Sequence, residues 1–289
     1  MKPIALLFAY FITSGLLGGL AAYPISRMID ADFERIVSRS VLVCAVLILL
    51  LFARKLGRDN FLDTPPHATG ERLFQKMGYG WLTGFLMLVP VAFIQLAFAY
   101  RYFESDLQPI ALTVLTTVAL ALPGAVIIAV IEESLFRGII FHHFRRVQKT
   151  ALAVTLSSLI YAAIHFLEPA HTVTNEPPDW MTGVILTFQS IHGFTALPNH
   201  VDAFIALFLA AVLLCLLRLR SGDIFTGIGM HAGWITLIKS FKELTNRNSD
   251  VAHAWWLASE HDRFTGHITS LLVIIAIVIL FGYRRRETI

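Results

Sequence analysis

Charged residues and cysteines are both scarce in this chain, and each shortage narrows the class of protein. Asp, Glu, Lys and Arg make up only 15% of the 289 residues, whereas an ordinary soluble domain contains about 25%. The two cysteines, Cys44 and Cys215, lie in different apolar blocks and have no metal-ligand spacing to a neighbour. We therefore expect both to be small buried apolar side chains, and we expect the chain not to be a soluble domain.

Apolar residues are correspondingly abundant. They make up 56% of the chain, the mean hydropathy is +0.68, and they occur in blocks long enough to span a bilayer. The sequence therefore predicts an all-α, polytopic membrane helical bundle of about eight transmembrane helices, with residues 1–289 forming a single integral membrane domain. The net charge of +3 comes from basic residues in the loops, which is a topology signal, so no nucleic-acid partner is expected.

The order of the apolar blocks gives a provisional topology. Membrane segments are predicted over residues 3–23, 40–52, 79–100, 107–144, 151–166, 202–219, 224–238 and 268–281. The first is interpreted as a retained span and not as a cleaved signal peptide. Residues 107–144 exceed one ordinary span, and Pro123-Gly124 should kink or break them, which leaves open one crossing or two. Residues 180–191 suit an interfacial or re-entrant helix.

Two carboxylates and an arginine lie together at the end of the longest apolar block, in the stretch V-I-E-E-S-L-F-R-G (130–138). Ionisable groups at membrane depth are costly and persist mainly where they have a function. Glu133 and Arg137 are four residues apart, so they share a helix face and can pair. Glu132 lies about 100° round the helix and is available for chemistry. The alternative is a buried ion pair that only fixes helix packing.

Two histidines complete the set of candidate groups. Glu132 precedes Arg146 by fourteen residues and His165 follows Lys149 by sixteen, so at about 1.5 Å per residue both lie some 20–25 Å from the same basic turn. Consecutive antiparallel helices would bring this carboxylate and this imidazole to one level. His231 lies eight residues beyond the turn at 221–223 and is therefore expected within the bilayer.

This combination of side chains suits hydrolysis. A carboxylate beside an imidazole can take a proton from water and return it to a leaving amine. A second histidine can donate a hydrogen bond to the oxyanion that forms on a peptide carbonyl. The glycines around His231, at 227, 229 and 233, allow another helix or a substrate to approach closely.

Three short motifs resemble a known family. The stretch E-E-S-L-F-R-G resembles the EExxxR motif of the CAAX-prenyl-protease and bacteriocin-processing (CPBP, Abi) intramembrane glutamic proteases. Tyr161 to His165 resembles their FxxxH motif, with tyrosine in place of phenylalanine. His231 stands where their third motif, HxxxN or HxxxD, begins. The resemblance covers about residues 123–240, which would be the protease-like core.

The resemblance implies a membrane endopeptidase of the glutamic type, in which Glu132 and His165 activate the water and His231 helps to hold the oxyanion. Glu133, Arg137 and Tyr161 would support the site. The implied substrate is a membrane-anchored, lipidated or prenylated peptide or protein. We expect an integral protein of the bacterial inner (cytoplasmic) membrane, in contact with the lipid bilayer. The sequence does not determine an oligomeric state.

One position departs from the third motif. Ile235 stands four residues after His231, where the family has asparagine or aspartate, and Thr236 beside it would point about 100° away. Three readings follow: the oxyanion site uses His231 with another donor, activity is reduced, or the chain belongs to a divergent subgroup. His192 is a possible substitute donor.

Alternatives to a metal-free protease stay open at this stage. Two histidines and two glutamates could hold zinc as a His₂Glu site, but each would come from a separate helix and Arg137 disfavours a dication. We therefore expect no cofactor. Ile235 favours a non-catalytic binding or immunity-type membrane protein on the same scaffold. A proton-coupled carrier would also use buried Glu, His and Arg, but the chain shows no internal repeat.

The side of the membrane is a further open point. The basic turn at Arg145 and the C-terminal Arg284, Arg285 and Arg286 favour the cytoplasm. Counting residues back from that turn puts Glu132 and His165 toward the opposite face, whereas the family resemblance favours access from the cytoplasm.

Overall fold

A computed structural model describes residues 2–56, 69–103, 110–167, 177–248, 251 and 255–284. Within these ranges nearly all regular structure is helical. The α-helices are α1 (Lys2–Ser26), α2 (Phe33–Leu56), α3 (Gly70–Ala97), α4 (Ile110–Glu133), α5 (His142–Val147), α6 (Thr150–Ile164), α7 (Thr182–Gln189), α8 (Val201–Ser221), α9 (Phe225–Leu244) and α10 (His267–Arg284). A π-helix, Ser134–Phe141, joins α4 to α5, and a 3₁₀-helix, Ser190–Asn199, follows α7. Of the C-terminal arginines, 285 and 286 lie outside the described residues.

The predicted class, an all-α helical membrane bundle, is confirmed. Four helices of the described part are long and apolar enough to cross a membrane: Phe8–Ser26, Gly70–Ala97, Ile110–Val147 and Val201–Ser221. Two shorter apolar helices, Thr150–Ile164 and His267–Leu280, accompany them. The predicted number of about eight spans is not confirmed. Large apolar side chains such as Leu120, which is 82% exposed, cover the outside of these helices as a lipid-facing surface requires.

The longest apolar block forms one helix. The α-helical hydrogen-bonding pattern passes through Pro123 without a break, and the irregularity comes ten residues later, where the π-helix begins after Glu133. Of the two expectations for Pro123-Gly124, the break is wrong, and the kink stays a prediction. A proline removes only one backbone donor, and membrane helices tolerate this where neighbouring groups compensate.

The described residues form two compact units. The first contains Met1–Phe61 and Ala162–Asn199, and the second contains Leu62–Tyr161 and His200–Ile289. That the whole chain forms one domain stays a prediction.

The first unit is built on close contacts between α1 and its two neighbours. Gly18 lies against the backbone of Val41 in α2, and Gly19 lies against the backbone of Gly183 and Val184 in α7. Glycine at these positions lets the helix backbones touch, which is how membrane helices gain packing energy without a hydrophobic driving force.

The second unit is organised around α9, which packs on α3 and α4. Helix α3 carries the pattern Gly80-x-x-x-Gly84, and α9 carries Gly229-x-x-x-Gly233. Each of these glycines faces backbone of the other helix: Gly84 faces Met230, for example, and Gly233 faces Trp81 and Phe85. The two patterns interlock and fix both the distance and the register between the helices.

Polar contacts hold the N-terminal end of α9. Gly222 ends α8 in the left-handed conformation (φ 76°), and its N–H donates to the Arg218 carbonyl, which confirms the predicted tight turn. The buried Asp223 then accepts a hydrogen bond from the Phe225 N–H at 3.0 Å and pairs with Lys76 of α3. This cap satisfies a backbone donor of the first turn of α9.

A small sheet, not foreseen from the sequence, holds the C-terminal end. Strand β1 (Arg101–Phe103) follows α3 and pairs antiparallel with β2 (Thr245–Arg247), which follows α9. The buried Arg101 guanidinium donates to the Thr245 hydroxyl at 2.7 Å and to its carbonyl oxygen at 2.6 Å. Helices α3 and α9 are thus tied at both ends.

The interlocked glycines give a first testable prediction. A Cβ at Gly229 would overlap the carbonyl oxygen of Met77, so Gly229→Ala must push α9 away from α3. Overpacking of this kind costs about 1–3 kcal/mol or more, and we expect a lower thermal unfolding temperature in detergent. The matched control is Gly78→Ala on α3, where a Cβ meets no atom within 4 Å. Equal unfolding temperatures for the two variants would contradict this packing.

Candidate active site

The second unit brings together five of the six predicted site residues. Glu132 and Glu133 are the last two residues of α4, and Arg137 lies in the π-helix that follows. Tyr161 comes from α6, and His231 comes from the second turn of α9. Three separate stretches of chain therefore converge on one cluster.

The helix widens directly after the two glutamates. The π-helix runs for eight residues, Ser134–Phe141, and most of its side chains are buried. Segments with this wider hydrogen-bonding pattern are rare and often occur at functional sites. Here the pattern begins immediately after Glu133 and includes Arg137.

Glu133 is the centre of the cluster. Its Oε1 accepts a hydrogen bond from Nη1 of Arg137 at 2.9 Å and lies 3.0 Å from Nδ1 of His231. Glu133 and Arg137 are each 1% exposed, and the predicted pairing of these two residues is confirmed. Arg137 also donates from Nη2 to the Ala211 carbonyl of α8 at 3.3 Å. The buried charges thus satisfy each other, as burial in an apolar bundle demands.

A glycine on α9 makes room for this carboxylate. A Cβ at Gly227 would lie 3.3 Å from Oε2 of Glu133, closer than most side-chain contacts. Gly227 stands one helical turn before His231, so the glycine and the histidine share one face of α9. The glutamate fits against that face because residue 227 has no side chain.

The carboxylate of Glu133 sets the orientation of the His231 ring. A carboxylate oxygen accepts hydrogen bonds, so Nδ1 of His231 carries the proton in this contact. The other ring nitrogen, Nε2, then lies 3.3 Å from the Tyr161 hydroxyl and 3.7 Å from Oε2 of Glu132. One edge of the imidazole contacts the buried ion pair, and the other edge faces Tyr161 and Glu132.

The Tyr161 ring is held from two sides. The guanidinium carbon of Arg137 lies 4.5 Å from the ring centre, and the Phe136 ring meets it edge-on at 4.9 Å. A cation over an aromatic face is attracted to the ring quadrupole. Because Tyr161 is only 3% exposed, its hydroxyl is fixed beside His231.

The two neighbouring glutamates have different surroundings. The Glu132 side chain is 25% exposed, whereas that of Glu133 is 1% exposed and bound to Arg137. Glu132 interacts with His231 and with Tyr161. The sequence anticipated this contrast, because only Glu133 has a basic partner at helical spacing.

His165 lies in the other unit. It follows the last residue of α6 and is half-buried. Its pairing with Glu132 stays a prediction. His192, the suggested substitute donor, is exposed in the 3₁₀-helix of the first unit, and its role also stays a prediction.

Sequence reasoning missed that His231 contacts both glutamates. It paired Glu132 with His165 by depth and kept His231 apart as an oxyanion group. Residues 133 and 231 are 98 positions apart, and no periodicity within either helix links them. The available signal was Gly227, whose missing side chain marks a close approach on the His231 face of α9.

His231 lies nearer the N-terminal end of α9 than its C-terminal end. His231 is eight residues beyond Asp223, or about 12 Å along α9. Near the same end, Nη1 of Arg220 donates to the Leu280 carbonyl at 3.1 Å, so α8 and α10 finish side by side there. Counting residues back from Arg146 placed Glu132 and His165 toward the face opposite the C-terminal arginines, and that placement stays a prediction.

A metal centre was the alternative arrangement of these residues. Across the residues that the structure describes, no three His, Cys, Asp or Glu side chains are grouped so that they could hold a metal ion. Oε1 of Glu133 is already engaged by the Arg137 guanidinium.

Comparison with known proteins identifies one family. Residues 114–237 match the model of the Rce1-like family, described as Type II CAAX prenyl endopeptidase Rce1-like. The match confirms the resemblance that the three motifs indicated, and the matched segment contains all five clustered residues and His165. It supports a CAAX-type intramembrane endopeptidase in general and, with the apolar helices, an integral membrane protein. Neither the curated proteins nor the solved structures include a significant match.

The buried ion pair leads to a prediction about stability. Arg137→Met leaves the Glu133 carboxylate buried without its cation, which should lower the free energy of unfolding by about 3–5 kcal/mol. Adding Glu133→Gln removes the stranded charge, so the double variant should lose less than the sum of the two single variants. Chemical unfolding of the purified protein measures all three.

An exposed ion pair supplies the control. Arg35 and Asp32 lie 3.2 Å apart, with side chains 60% and 73% exposed, so Arg35→Met should cost at most about 1 kcal/mol. If Arg137→Met cost no more than Arg35→Met, the ion pair would not stabilise the bundle.

Proposed function

We propose that this protein is an intramembrane endopeptidase that cleaves a membrane-anchored, lipidated or prenylated peptide or protein with a water activated by Glu132 and His165. The observation that carries the proposal is the set of contacts around His231, which joins the first and third family motifs through Glu132 and Glu133. The match of residues 114–237 to the CAAX prenyl endopeptidase family supports the same reaction class.

Glu132 acts as the general base. Its carboxylate takes a proton from the water while the water oxygen attacks the scissile carbonyl carbon, which forms a tetrahedral oxyanion. The proton then passes to the amide nitrogen, the C–N bond breaks, and a carboxylic acid and an amine leave. The greater exposure of the Glu132 side chain, 25% against 1% for Glu133, supports this division of labour. His165 assists by orienting the water.

His231 helps to hold the oxyanion, and Glu133 positions it. A carboxylate bonded to Nδ1 fixes the plane of the ring and stabilises the imidazolium, whose Nε2–H donates to the oxyanion. Arg137 in turn fixes Glu133, with a bond of 2.9 Å to the carboxylate and one of 3.3 Å to the Ala211 carbonyl. The ion pair therefore acts through His231 and does not touch the substrate.

The bilayer delivers the substrate. Glu132 lies in the helical segment Ile110–Val147, which is long and apolar enough to span a membrane, so a peptide anchored in the lipid reaches it by lateral diffusion. A prenyl or acyl chain contributes about 0.8 kcal/mol of membrane affinity for each buried CH₂ group. We propose access from the cytoplasmic side, which the resemblance to the CAAX proteases favours.

One observation favours a second candidate. The apolar Ile235 occupies the position at which the family has a polar group, and a scaffold that had lost catalysis could serve as a peptide-binding or immunity-type membrane protein. An inactive wild-type protein that still binds a prenylated peptide would select this alternative.

The catalytic assignment is tested by Glu132→Gln, which keeps the size of the side chain and removes the base. General-base catalysis contributes about 10²–10⁴-fold, so kcat on a prenylated reporter peptide in proteoliposomes should fall by that factor while peptide binding persists. The control is Glu243→Gln, an exposed carboxylate near the other end of α9, which should leave kcat unchanged. If the Glu132→Gln variant cleaved the peptide as fast as the wild type, the proposed mechanism would be wrong.

Metal dependence has a separate test. Because the proposed base is a carboxylate acting directly on water, activity should survive prolonged dialysis against a strong chelator. Loss of activity that zinc alone restores would establish the His₂Glu alternative, and the metal content of the active protein measures the same point independently.

A further inference from the structure

The first unit contains a cavity between α1 and α2 that the proposed reaction does not use. It has a volume of about 220 Å³ and lies beside Ile25 of α1 and along α2 from Arg35 to Cys44. The interval from 35 to 44 corresponds to about 13 Å of helix. All but three of the lining side chains are apolar. The cavity is smaller than the sites of about 300–1,000 Å³ that enclose a whole small molecule, so it suits one hydrocarbon chain.

Two arginines lie at the end of this cavity nearest the loop between α1 and α2. Arg35 and Arg39 both line it, and no acidic residue of the described part does. They are four residues apart on α2, so they share a helix face, and like charges at this spacing repel each other. Arg35 is paired with the exposed Asp32 at 3.2 Å. Arg39 has no acidic residue three or four positions away and forms no ion pair with a described residue. Its positive charge is therefore available to an anion.

A hydroxyl group separates the arginines from the apolar end of the cavity. Ser40 lines the cavity although its side chain is only 6% exposed. Elsewhere in this unit a helical serine bonds to the carbonyl four residues back, as Ser14 does to Tyr10 at 2.7 Å. The Ser40 hydroxyl makes no hydrogen bond with any residue that the structure describes. A buried hydroxyl without a partner is costly, and an acceptor on a ligand in the cavity would satisfy it.

We propose that this cavity binds one anionic phospholipid of the surrounding bilayer, with its phosphate at Arg35 and Arg39, an ester carbonyl at Ser40 and one acyl chain beyond. Charge, ester and hydrocarbon follow one another in the order in which a phospholipid presents them. The segment Phe8–Ser26 of α1 is long and apolar enough to cross a membrane, so the loop after it lies at the level of the headgroups. Arginines at that level attract anionic lipids. A zwitterionic lipid carries its own cation and compensates less of the arginine charge.

The test measures how tightly the full-length, delipidated protein binds dioleoyl phosphatidylglycerol in native mass spectrometry, with dioleoyl phosphatidylcholine for comparison. The wild type should bind the anionic lipid at least about fivefold more tightly, because an arginine near an anionic headgroup contributes about that factor. Arg39→Gln should remove this preference. Ser40→Ala should weaken the binding of both lipids by about two- to fivefold, because both carry the ester group.

Three controls separate the cavity from other effects. Arg27→Gln removes the same charge from an exposed position of the same loop that does not line the cavity, and both affinities should stay unchanged. Inorganic phosphate should not displace the lipid, because the acyl chain supplies part of the binding. Glu132→Gln should bind lipid as the wild type does, so the inference can hold or fail independently of the proposed function.

Four results would overturn the inference. The first is equal affinity of the wild type for the two lipids. The second is an equal loss of preference in Arg27→Gln and Arg39→Gln, which would show that surface charge alone attracts the lipid. The third is one-for-one displacement of the lipid by a prenylated reporter peptide, which would assign the cavity to the substrate. The fourth is an altered oligomeric mass in Arg39→Gln with unaltered lipid binding, which would assign it to a second copy of the chain.

Discussion

The Glu133 carboxylate, held between the Arg137 guanidinium and the His231 imidazole, is the interaction on which the rest of the second unit depends. A charge buried to this degree in an apolar bundle is tolerated only with a partner at hydrogen-bonding distance. Arg137 provides that partner four residues away in sequence, and His231 adds a second contact from a different helix. The carboxylate therefore links α9 to the end of α4 and fixes which nitrogen of His231 faces the remaining groups.

Small residues make this contact possible. The interlocked glycines of α3 and α9 set the depth of α9, Gly227 leaves space for the carboxylate, and Asp223 with Lys76 holds the first turn. None of these residues takes part in chemistry. Each of them restricts the movement of α9 and therefore of His231. A shift of about 1 Å at a catalytic group can lower the rate about a hundredfold. In this site, positioning is a property of the whole helix pair.

The sequence predicted the features that depend on local spacing or on composition. The apolar blocks predicted the membrane bundle, and the four-residue interval predicted the pairing of Glu133 with Arg137. The sequence did not predict the features that depend on contacts between residues far apart along the chain. The contact of His231 with Glu133 and the sheet between β1 and β2 each depend on groups far along the chain. Motif order indicated that Glu132 and His231 share a site, but not which ring nitrogen faces which carboxylate.

The central claim is that the side of this cluster formed by Glu132, Tyr161 and His231, of which Glu132 is the most exposed, receives the scissile peptide bond. An experimental structure of the Glu132→Gln variant with an uncleaved prenylated peptide tests it most directly. The account predicts a peptide carbonyl oxygen within hydrogen-bonding distance, about 3 Å, of the His231 ring, and its carbon facing the side chain at position 132. A peptide bound with its scissile bond away from all three would contradict it.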